Sequence, residues 1–488
     1  MKVMFISPRA IDAGRSSTKW EPGETDRGDF PPCGLMYIAS YLRKYAPHHE
    51  IKLIDANLLR YEDKDIKREV EEFKPHIVGI TVLTQNLYDC YMTMKAIKSV
   101  SKDILIAVGG AHPTYQIKET MAFSEVDFAC IGEGEELFHE LMEALEGKRE
   151  LSSIEGLVYR DANGDTHRNQ GIRYISDLDS LPHPAFDLLP FREYYSIIGT
   201  GAPTGVLCSS RGCPHKCTYC SKLFNTYRGR SAANIIEEMR LYYDSGIREF
   251  MFFDDMFNVH YTRAVEIAKA IMENFKDVEW SFRGRADQIN DELAIALRLS
   301  NCTQVTLGAE AHTNEIQKAL KTGKRIEKIK NAVTVLRKNG IKTNTNWILG
   351  LPQHKSAEDI KDMMKVVLDI DSDYVQFQIL QLNCDSELYE DAVKRNIVDV
   401  NLWDNYMKNP TPRFLIPAWE EHISIDEQSE LLRYCWTRFY LRPKLIFRQL
   451  KDLRNFRTLI TQTKGFFFML KAYFYPIAGL IHGKDGRK

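Results

Sequence analysis

An excess of either charge is missing from this chain: 65 basic residues stand against 67 acidic ones, a net −2. Nothing global therefore argues for a nucleic-acid partner. Cysteine is sparse, ten in 488 residues. Cys33, Cys90, Cys130, Cys208, Cys302, Cys384 and Cys435 are scattered without a pairing pattern, which argues against a disulfide framework and for a reducing cytoplasm. The opening Met1-Lys2-Val3-Met4-Phe5-Ile6-Ser7-Pro8 lacks the long apolar region and small-residue cleavage site of a signal peptide and reads as a strand. A long apolar run is also missing. The longest, Gly465 to Ile481, contains Lys471 and Pro476 and falls short of the ~20 residues that span a bilayer. No repeat or low-complexity tract stands out. What is left is an ordinary globular composition, 44% hydrophobic and 27% charged, with length for two or three domains.

The remaining cysteines are not scattered. Cys213, Cys217 and Cys220 lie in Arg211-Gly212-Cys213-Pro214-His215-Lys216-Cys217-Thr218-Tyr219-Cys220, a C-x3-C-x2-C triplet on one polar loop. Three thiolates so spaced hold three corners of a cubane 4Fe–4S cluster. Most such clusters use four cysteines, so the fourth iron is left open to a substrate or cofactor. Three core cysteines are the bland alternative, but Gly212, Pro214, His215 and Lys216 are not core-like.

The triplet, with aromatic Tyr219 just before the third cysteine, resembles the radical S-adenosylmethionine (SAM) family. The resemblance implies that SAM chelates the open iron and is cleaved to a 5′-deoxyadenosyl radical, which abstracts hydrogen from an unactivated carbon. An external reductant such as flavodoxin or ferredoxin would supply the electron.

Upstream, short apolar runs alternate with amphipathic stretches. Strands are expected at 2–7, 51–55, 77–82, 104–108 and 128–131, and helices at 34–45, 63–73, 87–100, 117–123 and 135–145. This rhythm means a flavodoxin-like, doubly wound parallel sheet. Ligands bind such sheets beyond the carboxyl ends of the strands, where Asp55, Thr81, Thr84, Gly109-Gly110-Ala111-His112 and Gly132-Glu133-Gly134-Glu135 fall. With Pro31-Pro32-Cys33-Gly34, these turns resemble the cobalamin-binding domain that precedes many radical SAM barrels. The resemblance implies cobalamin contacts from Asp55, Thr81, Thr84, Gly109, Gly110, His112, Gly132 and Glu133. No Asp-x-His-x-x-Gly is present, so His112 reads as a hydrogen-bonding or packing residue before it reads as a cobalt ligand. Loss of the cofactor with retention of the fold stays open.

Asn163-Gly164 signals a hairpin, and Leu181-Pro182-His183-Pro184 a connector too rich in proline for regular structure. From Gly205 a second rhythm begins: strands at 205–209, 249–253, 279–283, 304–307, 343–348 and 374–380, with helices such as 232–244, 263–274 and 326–339. Six βα units agree with the partial barrel of the radical SAM family, and polar residues at its strand ends read as functional. The resemblance implies SAM contacts from Tyr219, Asp254, Arg285, Gly308, Glu310 and Gly350. For Asp254 a helix N-cap is the equal alternative, and for Arg285 a salt bridge. Cys208 reads as core, and of Cys302 and Cys384 at least one faces the site. The expected organisation is a cobalamin-binding domain at 1–150, a linker with hairpin at 151–202, the partial barrel at 203–395 and a helical region at 396–488.

From Thr437 the chain is basic and aromatic, with only Asp452 and Asp485 acidic. That composition suits peripheral contact with an anionic membrane, or a plain helical cap. It hints at a large, apolar, lipid-like substrate. The expected function is methylation of an unactivated carbon through the adenosyl radical and methylcobalamin. Ring closure or oxidation of a tetrapyrrole, as in the anaerobic magnesium-protoporphyrin monomethyl ester cyclases, is the enzyme alternative. A non-catalytic cobalamin sensor is the third reading.

Overall fold

The computed structural model describes residues 1–10, 28–196, 202–412 and 414–451. The first sheet has seven strands in the order 2-1-3-4-5-6-7. Lys2–Ser7, Glu50–Asp55, Ile77–Thr81, Leu105–Gly109 and Phe128–Cys130 run parallel. Helices cover both faces, so the inner strands are almost wholly buried, as parallel sheets require. Cys33–Tyr45 turns Leu35, Met36, Ala39 and Leu42 inward, a stripe of helical period. The hairpin signalled by Asn163-Gly164 forms Leu157–Arg160 and Thr166–Arg168, and it adds two antiparallel strands to the edge of this sheet.

One expected helix is corrected. The stretch 117–123 is a shorter Ile117–Thr120, preceded by an unforeseen helix, Ala111–Tyr115, that holds Pro113. Proline is tolerated in a first helical turn, where its missing N–H is one of the unpaired donors anyway.

The second sheet has six parallel strands in chain order: Thr204–Leu207, Glu249–Phe252, Glu279–Gly284, Cys302–Glu310, Lys342–Leu349 and Tyr374–Ile379. Its first and last strands do not pair, so the barrel is partial. Phe250, Phe252, Trp280, Phe282, Trp347, Leu349 and Phe377 pack outward beneath the helices. Alternate residues therefore face the inside of the arc. The free edge of the last strand is covered by Ile425–Tyr440: the Tyr440 hydroxyl accepts from Val375 N at 3.1 Å and donates to its carbonyl at 2.8 Å.

The two sheets meet through the loops at their carboxyl ends. One apolar cluster contains Ile6, Ile80 and Val108 of the first together with Ile348, Leu380 and Leu388 of the second. Trp403, on Leu402–Lys408, belongs to it as well. Arg442, Lys444 and Arg448 converge on Asp371 at 3.4, 2.8 and 3.4 Å, so these C-terminal cations anchor a helix to the barrel. The apolar run 465–481 lies outside the described residues. Among those described, no helix is long and apolar enough to cross a membrane.

Candidate active site

The cysteine loop grows out of a two-rung antiparallel ladder, Ser210–Arg211 with Arg228–Gly229. Gly212 turns the chain with φ 81°, and a Cβ there would lie 2.2 Å from Thr226 O, so only glycine serves. Backbone bonds hold the loop's shape: Cys213 N to Phe224 O (3.2 Å), Cys220 N to Cys217 O (3.2 Å), Thr218 N to Leu320 O (3.1 Å) and Leu388 N to Thr218 O (3.0 Å). Cys213 and Cys217 are half-buried, Cys220 is exposed, and all three thiols are free. Burial pushes the Cys217 thiol up. Burial, then the neighbouring Cys217 and Cys213, pushes Cys220 up to about 12. Three free thiols on one polar loop are the donor set of a cluster bound through three sulfurs, which lose their protons when metal binds.

The barrel's strand ends surround this loop. Asp254 is buried and accepts from Ser209 N and from the Ser209 and Ser210 hydroxyls, each at 2.6 Å. It ties down the turn into the cluster loop. Neighbouring Asp255 accepts from Gly212 N at 3.2 Å. Glu310, in the left-handed region at φ 62°, pairs with Lys324 at 2.8 Å. Gly308 makes room for that pair, since a Cβ would lie 2.1 Å from Glu310 Oε1 and 2.7 Å from Lys324 Nζ. The charges of Lys324 and Glu310 both act on Cys217, and that of Glu310 on Tyr219. Arg285 gives its bidentate edge to Asp287 at 2.8 and 3.0 Å and Nη1 to Thr322 O at 3.1 Å; its backbone N meets Asn258 at 2.7 Å. Gly350, with φ 70°, leaves room for Gln428 of the C-terminal helix, whose Oε1 would be 2.0 Å from a Cβ. Cys302 is buried at the start of its strand, away from the carboxyl end. Cys384 lies half-buried just beyond the sixth strand.

On the first sheet, Asp55 is buried and accepts from Tyr194 Oη at 2.9 Å and from Asn57 N and Leu58 N; burial raises its pKa against those bonds. Thr81 and Gly109 end adjacent strands. Gly110, at φ 108°, brings the backbone to 2.9 Å from Val82 O, measured to a hypothetical Cβ. Thr84 Oγ1 meets His112 Nδ1 at 3.1 Å. His112 is fully buried, lies edge-on to Trp403, and burial lowers its pKa to about 4. That is the hydrogen-bonded, packed histidine expected, although its Nε2 has no partner among the described residues. Gly132, with φ 94°, accommodates Arg173 O, 2.4 Å from where a Cβ would be.

Glu133 reaches across to the other sheet. Its Oε1 accepts from Arg211 at 2.9 Å; its Oε2 accepts from Arg228 at 2.7 Å and from Ile175 N at 2.6 Å. Arg211 also pairs with Glu135 at 2.5 Å. The turn after the fifth strand of the first sheet thus grips the ladder beneath the cysteine loop. Lys324, Arg211 and Arg228 carry none of the expectations drawn from the sequence. The one available signal was Arg211 beside the triplet. His112 Nε2, Thr218 Oγ1 and Asp385 Oδ1 are buried without partners among the described residues, and all three stand where the sheets face each other. Buried polar atoms want partners, and a large amide-bearing ligand such as a corrin would supply them.

A further donor cluster, His48, His49 and Glu146, sits at the opposite end of the first sheet. Lys148 lies 2.6 Å from Glu146 Oε2 and already supplies the countercharge.

Residues 23–142 match the B12 binding domain and residues 207–367 the Radical SAM superfamily. The chain is 31% identical over 462 residues to the uncharacterized methyltransferase PH0819 of Pyrococcus horikoshii, covering 93% of this chain and 96% of that protein. It is 26% identical to the anaerobic magnesium-protoporphyrin IX monomethyl ester cyclase of Rubrivivax gelatinosus, over 76% of this chain and 66% of that one. The solved structure of the cobalamin-dependent S-adenosylmethionine radical enzyme OxsB, with aqua-cobalamin and S-adenosylmethionine bound, superposes with a TM-score of 0.72 at 15% identity, covering 96% of this chain and 70% of that chain.

Proposed function

Since the chain belongs to the cobalamin-dependent radical SAM enzymes, we propose that it methylates an unactivated carbon of a small molecule. One observation carries this reading: the turn holding Glu133 is bonded to the ladder that carries the cysteine loop. The two sheets therefore share a single site. Cys213, Cys217 and Cys220 would hold the cluster; Tyr219, Gly308, Glu310 and Lys324 would line SAM; Thr81, Thr84, Gly109 and Gly110 would line cobalamin. When bound, the cluster with SAM supplies radical hydrogen-atom abstraction and cobalamin supplies methyl transfer. The chain's own work is positional. Asp254 and Asp255 fix the turn into the loop, and the Glu310–Lys324 pair sets a charge beside it. Glu133 keeps the two halves in register, while Trp403 and Leu388 close the apolar wall that excludes water.

Cyclisation or oxidation remains the second reading, favoured by the likeness to the Rubrivivax cyclase. Methyl-labelled SAM separates the two. Anaerobically reconstituted protein, given reductant and a small-molecule extract of its source cells, should place label in a new product. Formation of 5′-deoxyadenosine with the label confined to methionine and unreacted SAM would instead support the second reading. If neither forms, both fail.

Gly308→Ala tests the SAM assignment. The added methyl must displace the ends of Glu310 and Lys324, flexible tips that move at little cost to the fold but leave their place beside the cluster loop. SAM affinity should fall roughly tenfold or more while iron content is kept, measured by equilibrium dialysis and iron assay on one preparation.

A further inference from the structure

The inside of the barrel shows what kind of molecule it accepts. Because Trp280, Phe282, Trp347, Phe377 and their neighbours face the helices, the alternating positions point inward. Strand register sets them in rows. Arg283 is level with Thr306, which is level with Asn344. One step toward the carboxyl end, Gly308 is level with Asn346 and Asn346 with Gln376; Gln378 follows on the last strand. An arginine and four amides are a poor lining for an apolar guest. Asn344 is buried, and the side-chain oxygens of Asn344 and Asn346 have no partner among the described residues. Unsatisfied buried amide oxygens in a concave site are groups waiting for a donor.

Arg283 is the distinctive member. The other arginines near this mouth are engaged: Arg285 by Asp287, Arg228 by Glu133, Arg230 by Glu238, and Arg263 by the Ser209 and Arg230 carbonyls. The Arg283 guanidinium has no hydrogen bond or ion pair among the described residues. It is exposed to the lumen, and its guanidinium lies over the Phe253 ring with 5.2 Å to the centroid. Phe253 in turn packs on Phe30 of the first unit at 5.6 Å. Asp255 is the one carboxylate whose charge acts on it, and that carboxylate is bonded to Gly212 N. A guanidinium fork held by a ring, with no carboxylate bonded to it, matches an oxyanion bidentately.

We propose that this lumen binds the substrate and that Arg283 selects a polar substrate carrying an oxyanion, a carboxylate or a phosphoryl or phosphonyl group. Asn344, Asn346, Gln376 and Gln378 hydrogen-bond the remainder. The proposal deepens the methyltransferase reading and rests on its placement of the active site at the barrel mouth. The lipid-like substrate suggested by the tail drew on residues mostly beyond 451, outside those described.

The test uses the reconstituted full-length protein with propylphosphonate, butyrate and neutral butyramide as probes, read by isothermal titration and ligand-observed NMR. The two anions should bind at least tenfold more tightly than butyramide, and the better of them names the anion class. Arg283→Gln should lose that preference, and Arg283→Lys should keep part of it. Iron content and SAM affinity should stay within about twofold of wild type. Gln376→Leu, which leaves the charge alone, should weaken all three probes together. Equal binding of anions and amide, or a SAM affinity that falls with Arg283→Gln as far as anion binding does, overturns the proposal. Failure of the methyltransferase reading looks different: no label from methyl-labelled SAM would reach a product, whatever the probes do.

Discussion

Alanine at Cys213, Cys217 or Cys220 should cut iron from about four per chain to well under one and remove SAM cleavage. The expected loss is at least about a thousandfold, roughly 4 kcal/mol of barrel-site chemistry. Two sulfur donors cannot retain a cubane that three hold with one corner vacant. The variants should stay folded, because the loop's shape comes from backbone bonds that do not involve sulfur: Cys213 N to Phe224 O, Thr218 N to Leu320 O, and Leu388 N to Thr218 O. Gly212 and its bond to Asp255 survive as well. Thermal midpoints of the cluster-free proteins should therefore agree with that of cluster-free wild type. Iron and sulfide assays, with 5′-deoxyadenosine formation by chromatography, decide the matter. Full iron content and undiminished cleavage in any one of the three would remove the basis of the functional reading.

How far the sequence announces this site depends on the range over which each feature acts. The strands were legible because helices cover both faces of the first sheet and the outer face of the second, so apolar runs mark the one and alternation the other; Lys2–Ser7 and the helices Asp63–Phe73 and Leu87–Val100 fall where the pattern puts them. The cysteine triplet is local and chemical, and was equally plain. The sequence is harder to read where a residue has two meanings. Pro113 looks like a breaker and sits in a first helical turn. Gly350 has the left-handed conformation expected of a turn glycine, yet the space it opens is filled by Gln428, 78 residues on, a partner no local pattern reveals. Arg285 and Asp287, two residues apart, satisfy each other, which is the salt bridge the sequence offers as the alternative for Arg285. The Glu133–Arg211–Arg228 contacts span 78 and 95 residues. Only the fold brings them together, so a Gly-Glu-Gly-Glu turn read as a ligand site is in the structure also a clasp.

That clasp yields the second large effect. Glu133→Gln should destabilise the protein by about 3–5 kcal/mol, the range seen when one partner of a buried ion pair is removed. Glu133 is 7% exposed and Arg228 also 7%, and Arg228 stacks on Tyr174 and Phe224 with little access to water. Removing the carboxylate leaves that guanidinium's charge uncompensated, whereas Arg211 keeps Glu135. Burial by itself would raise the Glu133 pKa, but the hydrogen bond from Arg228 and the charge of Arg211 outweigh it and hold the group below the usual carboxylate range. The sign follows: the folded-state value is depressed, so the stabilisation is present at neutral pH and above about 4.3, the ordinary value of an unfolded glutamate. It is lost as pH falls through the lower folded value. Urea unfolding of wild type and Glu133→Gln should therefore differ by several kcal/mol at pH 7 and converge as pH drops below about 4. Glu133→Gln should also lower SAM cleavage and corrinoid retention together, since one side chain ties the ladder of the cluster loop to the turn after the fifth strand. Two curves separated by the same gap at pH 3 and pH 7 would show that the carboxylate's charge is not what joins the sheets. Loss of corrinoid with cleavage untouched would show that the cluster loop keeps its place without the clasp.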